Sequence, residues 1–224
     1  MHVCFLDIDG TLISTGGAGR EAFVVTLDKD FGIRNASSAG VTFAGRSDRA
    51  IALELLERHG VAPTAENWAR FRPAYVRRLR EVLPTFQGRV LPGVVPLLES
   101  LAARGDVALG LLTGNIRDAA RSKLTHYGLW QWFPFGGFGD EHTDRCDIAA
   151  AALAAARLHL NGNSHGRVLV IGDTPNDVTC GRAIGARCVA VPTGTTPTDV
   201  LRKAKPDVLV ETLEDAEPIL RLLD

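Results

Sequence analysis

Residues 5–11 read Phe5-Leu6-Asp7-Ile8-Asp9-Gly10-Thr11, an apolar run that ends on two carboxylates one residue apart and then a glycine. The segment 2–9 is predicted to be a buried β-strand, because a short apolar run bounded by turn residues suits a strand covered on both faces. On an extended strand the side chains of Asp7 and Asp9 point to the same side, at the C-terminal end where a sheet opens. Gly10 allows a tight departure there, and Thr11 can satisfy backbone groups of the loop. A chance Asp-x-Asp is a solvated turn or a helix cap. An apolar strand leading into it points instead to a place where a cation sits between like charges.

Outward from this segment, three more short apolar runs, at 107–113, 167–173 and 187–191, read as buried parallel strands, and 207–210 is placed to close the sheet. Helical patterns lie between them at 94–104, 116–127, 147–158, 175–184 and 198–204, with 215–223 last. This alternation predicts an α/β fold with right-handed crossovers, a sheet covered on both faces, and ligands at the carboxyl ends of its strands. The interval 14–88 breaks the alternation, offering helical patterns at 20–31, 48–59 and 66–83 and no strand. An inserted helical cap is therefore expected, dividing the chain into a core of residues 1–13 and 89–224 and a cap of residues 14–88. Gly16, Gly17 and Gly19 at the entry, with Gln87-Gly88 and Leu91-Pro92-Gly93 at the exit, are the hinge candidates.

The 224 residues suffice for such a core and insert. Because 25 Lys and Arg face 26 Asp and Glu, no overall field draws the chain to nucleic acid or a membrane surface, and neither is expected as a partner. No window offers the roughly 18 uncharged apolar residues of a membrane span. Met1 leads directly into the first strand without a basic and then apolar leader, so export is not expected. Cys4, Cys146, Cys180 and Cys188 lack metal-type C-x-x-C spacing, and Cys4 and Cys188 lie in apolar runs. Reduced buried thiols and a cytoplasmic setting fit that usage. The sequence leaves the oligomeric state open.

Two further strand ends carry chemistry. Gly172-Asp173-Thr174-Pro175-Asn176-Asp177 follows an apolar strand and opens a helix, with Thr174 suited to the N-cap and Pro175 to the first turn. Capping alone would explain Asp177 as a dipole-stabilised surface acid. Leu111-Leu112-Thr113-Gly114-Asn115 places a hydroxyl and free backbone N–H groups where an anion can be held. Three such ends on one sheet make a far stronger constellation than any one of them.

With their order and spacing, Asp7-Ile-Asp-Gly-Thr-Leu, Leu112-Thr113-Gly114-Asn115 and Gly172-Asp173-Thr174-Pro175-Asn176-Asp177 resemble three signature motifs of the haloacid dehalogenase-like hydrolases. The resemblance spans essentially the whole chain and is greatest to the phosphoglycolate-phosphatase-like branch, a Rossmann-like core split by a helical cap. It implies a phosphatase acting on a small phosphorylated metabolite. Asp7 would attack phosphorus and form an aspartyl-phosphate, while Asp9 would protonate the leaving alcohol and later activate water. The resemblance also implies Mg²⁺ held by Asp7, the backbone carbonyl of Asp9, and Asp173, with support from Asp177. Thr113 and the neighbouring amides of Gly114 and Asn115 would bind phosphate oxygens. These roles suit phosphoryl transfer, in which an anionic nucleophile meets an anionic phosphate and needs a cation beside it.

The family sets a basic residue, usually Lys and sometimes Arg, at or before a core helix. Arg145 in Asp144-Arg145-Cys146-Asp147 is the best positional match, and Lys123 in the preceding helix is its rival. The bland readings stand beside these: a surface lysine for Lys123 and a helix-start surface residue for Arg145. In Phe43-Ala44-Gly45-Arg46-Ser47-Asp48, Arg46 either recognises a substrate anion or faces water while Ser47 or Asp48 caps the next helix. Trp68, Phe71 and Tyr75, at helical spacing, read as cap core rather than as a substrate platform. His142, alone in a polar loop, makes a poor catalytic candidate. Among other activities, a phosphomutase would use the same two aspartates. A dehalogenase is disfavoured by Asp9, and imine chemistry by Lys29 being the only lysine within 14–88. A non-catalytic protein retaining the fold is the alternative from another class.

Overall fold

The computed structural model describes residues 1–162 and 165–224. In chain order its elements are β1 (His2–Leu6), β2 (Ile13–Ser14), α1 (Ala18–Phe31), α2 (Asp48–Arg58), α3 (Ala65–Val82) and β3 (Arg89–Val90). There follow α4 (Val94–Ala103), β4 (Val107–Leu112), α5 (Arg117–His126), β5 (Phe135–Gly137), α6 (Arg145–His159) and β6 (Val168–Gly172). The last are α7 (Pro175–Ala183), β7 (Arg187–Ala190), α8 (Thr198–Lys203), β8 (Val208–Leu209) and α9 (Glu217–Leu220).

Six strands form one sheet in the order β5-β4-β1-β6-β7-β8, with every neighbouring pair parallel. β1 lies in the middle, flanked by β4 and β6, so the chain leaves it in opposite directions and opens a crevice at its C-terminal end. Alternation along β1 serves both layers. Val3 and Phe5 pack with Ala149, Ala152 and Ala156 of α6, whereas Cys4 and Leu6 pack with Leu97, Leu98 and Leu101 of α4. The alanines let α6 close on the sheet: a β-carbon on Gly137 would lie 2.3 Å from the carbonyl oxygen of Ile148.

The α/β class follows the expected alternation, with strands shorter than their apolar runs. The edge strand β5 was not expected, because two of its three residues are glycines and it presents no apolar run. The two-residue pair β2 and β3 was not expected either. It joins antiparallel, Ile13 opposite Val90 and Ser14 opposite Arg89, and so ties together the two ends of the helical interval. There the backbone passes closely: Gly16 adopts φ +63°, and a β-carbon on it would meet the carbonyl oxygen of Gln87 at 2.5 Å.

Helices α1 to α3 share an apolar cluster of their own, centred on Phe23, Leu27, Leu55, Leu56, Phe71 and Tyr75. Ile116 and Ala119, at and within the start of α5, complete it. Trp68, Phe71 and Tyr75 are all buried in it.

Candidate active site

Directly after β1, Asp7 extends the pairing with β6, its N–H donating to the carbonyl oxygen of Ile171 at 3.0 Å. Past this pairing the chain turns, with the Ile8 carbonyl oxygen accepting from the N–H groups of Leu12 and Ile13 at 2.9 and 3.0 Å. Gly10 turns at φ +88°, a conformation that favours glycine. Asp9 lines the same cavity as Asp7, its side chain 41% exposed while that of Asp7 is buried. The Thr11 hydroxyl serves a carboxylate rather than the loop backbone, donating to Asp173 Oδ1 at 3.2 Å.

The acids that do converge are Asp7, Asp173 and Asp177, each offering an oxygen within 4.8 Å of the others, all buried. Burial, with the charges of Asp177 and Asp9 and against that of Arg145, pushes the Asp7 carboxyl up to about 7. Burial and the neighbouring Asp177 and Asp7 push Asp173 up to about 9. Such a cluster resists carrying its full charge until a cation joins it. Three observations favour a hard divalent ion. Asp7 Oδ1 is buried without a hydrogen-bond partner. The donors are carboxylate oxygens. Asp173 Oδ2 rests in a glycine cradle, since a β-carbon on Gly10 would come within 2.4 Å of it and one on Gly194 within 1.7 Å. Asp177 is less free. Its Oδ2 accepts from the N–H and hydroxyl of Thr174 in a capping box on α7, and its Oδ1 is paired with Arg145.

Arg145 starts α6 and is buried, its Nη1 3.6 Å from Asp7 Oδ1 and its Nη2 donating to the Leu112 carbonyl oxygen at 3.3 Å. Burial draws the guanidinium down, but Asp177 and Asp7 outweigh it and raise its pKa. The helix-start surface reading of Arg145 does not hold. Nor does the surface reading of Lys123, which is 3% exposed with its ammonium 2.6 Å from Asp9 Oδ2 and 2.6 Å from Asn115 Oδ1. The sequence carried a signal for Lys123: it falls in the apolar stripe of α5, between Ala119, Ala120 and Leu124.

Thr113 lies fully buried and its Oγ1 accepts from the N–H and the Nδ2 of Asn115. Asn115 Nδ2 also donates to Asp9 Oδ2 at 2.8 Å. Gly114 faces the helical interval: its carbonyl oxygen accepts from Asp48 N–H at 2.7 Å, and a β-carbon on it would lie 2.1 Å from the carbonyl oxygen of Arg46. Arg46 pairs with Glu54 at 2.5 Å and is partly exposed. Ser47 caps α2, as expected, accepting from Ala50 N–H. Asp48, read from sequence only as a helix cap, is buried. Its Oδ2 accepts from Ile116 N–H at 2.9 Å, and burial pushes its carboxyl up to about 7 against the pull of Lys123.

These groups surround one cavity of about 630 Å³. Asp7, Asp9, Lys123, Arg145 and Asp173 line it from the sheet side, and Arg46, Asp48 and Tyr75 from the helical side. Thr113 and His142 are not among the residues lining it. No helix among the described residues is long and apolar enough to cross a membrane.

A family model described as haloacid dehalogenase-like hydrolase matches residues 4–182. The chain is 29% identical over 216 residues to a Dickeya dadantii protein named "Probable phosphatase IndB", covering 93% of this chain and 89% of that one. It is 30% identical over 161 residues to the phosphoglycolate phosphatase of Synechococcus elongatus, covering 72% and 71%. Among solved structures, one described as a predicted phosphatase from Clostridium acetobutylicum superposes with a TM-score of 0.73 at 19% identity, over 98% of both chains, and shares the fold.

Proposed function

The chain belongs to the haloacid dehalogenase-like hydrolases, and from that premise we propose that it hydrolyses small phosphate monoesters with Mg²⁺, through a phosphoryl group carried on Asp7. The observation that carries this reading is the Asp7 carboxylate, buried at the strand end beside Asp173, with an Oδ1 that accepts no hydrogen bond and faces Arg145. The phosphatase names of its relatives support it.

Asp7, Asp173 and the carbonyl oxygen of Asp9 would hold the metal, which when bound offsets the charge of nucleophile and phosphate together. Asp177 supports the site by fixing Arg145 and the first turn of α7. Asp7 attacks phosphorus, and the ester bond breaks as Asp9 gives its proton to the departing alcohol oxygen. Asp9 then takes a proton from the water that attacks phosphorus, which releases inorganic phosphate and returns Asp7 to its starting state. Arg145, at 3.6 Å from Asp7, presents a guanidinium to the phosphoryl oxygens. Gly114 and Asn115 line the same cavity, and Thr113 holds Asn115 in place by accepting from its N–H and its Nδ2. Residues 14–88 form the cap over the core of residues 1–13 and 89–224, and Arg46, which lines the cavity while paired with Glu54, would exchange that partner to meet a substrate anion.

A panel of phosphate esters, assayed with Mg²⁺ and with chelator beside Asp7→Asn, tests the reading. Phosphate release is expected only from the wild-type chain with Mg²⁺. Release that survives Asp7→Asn contradicts it. A sugar 1-phosphate in the panel separates hydrolysis from mutase activity, which would return the 6-phosphate.

A further inference from the structure

We propose that Lys123 is a positioning residue for Asp9, which it and Asn115 clamp through a single carboxylate oxygen so that the other faces the leaving group. The inference rests on the phosphatase reading above and adds a residue to it. Lys123 Nζ lies 2.6 Å from Asp9 Oδ2, and Asn115 Nδ2 donates to the same oxygen at 2.8 Å. The two donors are themselves joined, since Lys123 Nζ also donates to Asn115 Oδ1 at 2.6 Å. Asn115 is in turn held by Thr113 Oγ1 at 3.0 Å. This closed ring occupies Oδ2 and leaves Oδ1 as the oxygen free to meet an ester oxygen, on a side chain that is 41% exposed.

The ammonium itself has little freedom. It is 3% exposed and sits against the first turn of α1, where a β-carbon on Gly19 would be 3.5 Å from Nζ. A buried lysine is costly unless paired, and Asp9 provides the compensation. Arg145 already stands beside Asp7, so the second buried cation is not needed at the nucleophile. A nucleophile and a general acid on one turn, each with its own buried cation, divide attack and leaving-group protonation between Arg145 and Lys123.

The test compares kcat/KM of Lys123→Met and wild type on two substrates: an alkyl phosphate, whose alcohol needs a proton to leave, and p-nitrophenyl phosphate, whose phenolate leaves without one. General acid catalysis contributes on the order of 10²–10⁴-fold, so the alkyl ester is expected to lose about 10²-fold or more while the aryl ester loses several-fold at most. Because both substrates see the same folded fraction, a merely structural role lowers the two values equally. Should Lys123→Met not fold, Asn115→Ser removes the second donor and is expected to show the same selective loss. Equal losses on both substrates, or none, overturn the assignment of Lys123. Asp7→Asn, run alongside, must be inactive on both; activity there counts against the nucleophile instead.

Discussion

Arg145 stands where two buried carboxylates meet, and its removal would leave Asp7 and Asp177 facing each other without compensation. Breaking a buried ion pair by deleting one partner costs about 3–5 kcal/mol. Arg145→Met is therefore expected to lower the unfolding free energy by about 3–5 kcal/mol, read from denaturant melts, and an unchanged midpoint and slope would contradict the pairing. Tyr75 gives the opposite expectation. Its hydroxyl is buried without a partner among the described residues, so Tyr75→Phe should leave Tm unchanged or raise it, because a buried unpaired hydroxyl is costly. A clear fall in Tm would reveal a hydrogen bond the structure does not contain. At this scale Asp7 and Asp173 were legible in the sequence because each ends an apolar run. Lys123 was harder to read, since lysine is so rarely buried that its place in the stripe of α5 carried little weight against that expectation.

Elements announced themselves where burial made their sequences continuous. β1, β4, β6 and β7 are apolar runs because both faces of the sheet are covered. β5 was illegible for a related reason: its glycines are there to let α6 approach, and close approach leaves no side chain to read. Gly137→Ala, which sets a β-carbon 2.3 Å from the Ile148 carbonyl oxygen, is expected to force α6 outward and destabilise the fold by about 1–3 kcal/mol, the range for overpacking. Thermal unfolding of the variant checks this, and an unaltered Tm would show that α6 is not held so closely. The chain turns at Ile8, and the Asp9 carboxylate is held by hydrogen bonds formed across more than 100 residues, which no local pattern carries.

Across the whole molecule, the helical interval and the sheet meet at Asp48, whose buried carboxyl joins α2 to the start of α5. Its folded-state value of about 7 lies above its ordinary 3.8, so the folded chain keeps a proton that the unfolded chain releases in between. The contribution of this group to stability is thus full below about pH 4 and is lost as pH rises through 7. Asp48→Asn, which keeps an oxygen acceptor for Ile116 N–H, should gain in Tm relative to wild type between pH 5 and pH 8. A difference that does not change with pH would contradict the buried, protonated carboxyl. The molecule as a whole, however, is organised around Asp7. The most direct test is to incubate Asp9→Asn with Mg²⁺ and p-nitrophenyl phosphate, quench in acid, and weigh the peptide that contains residue 7. One phosphoryl group on Asp7 per chain, with about one p-nitrophenol released, is the predicted result; turnover by the wild-type chain with no phosphoryl group ever found on Asp7 in either protein would contradict it.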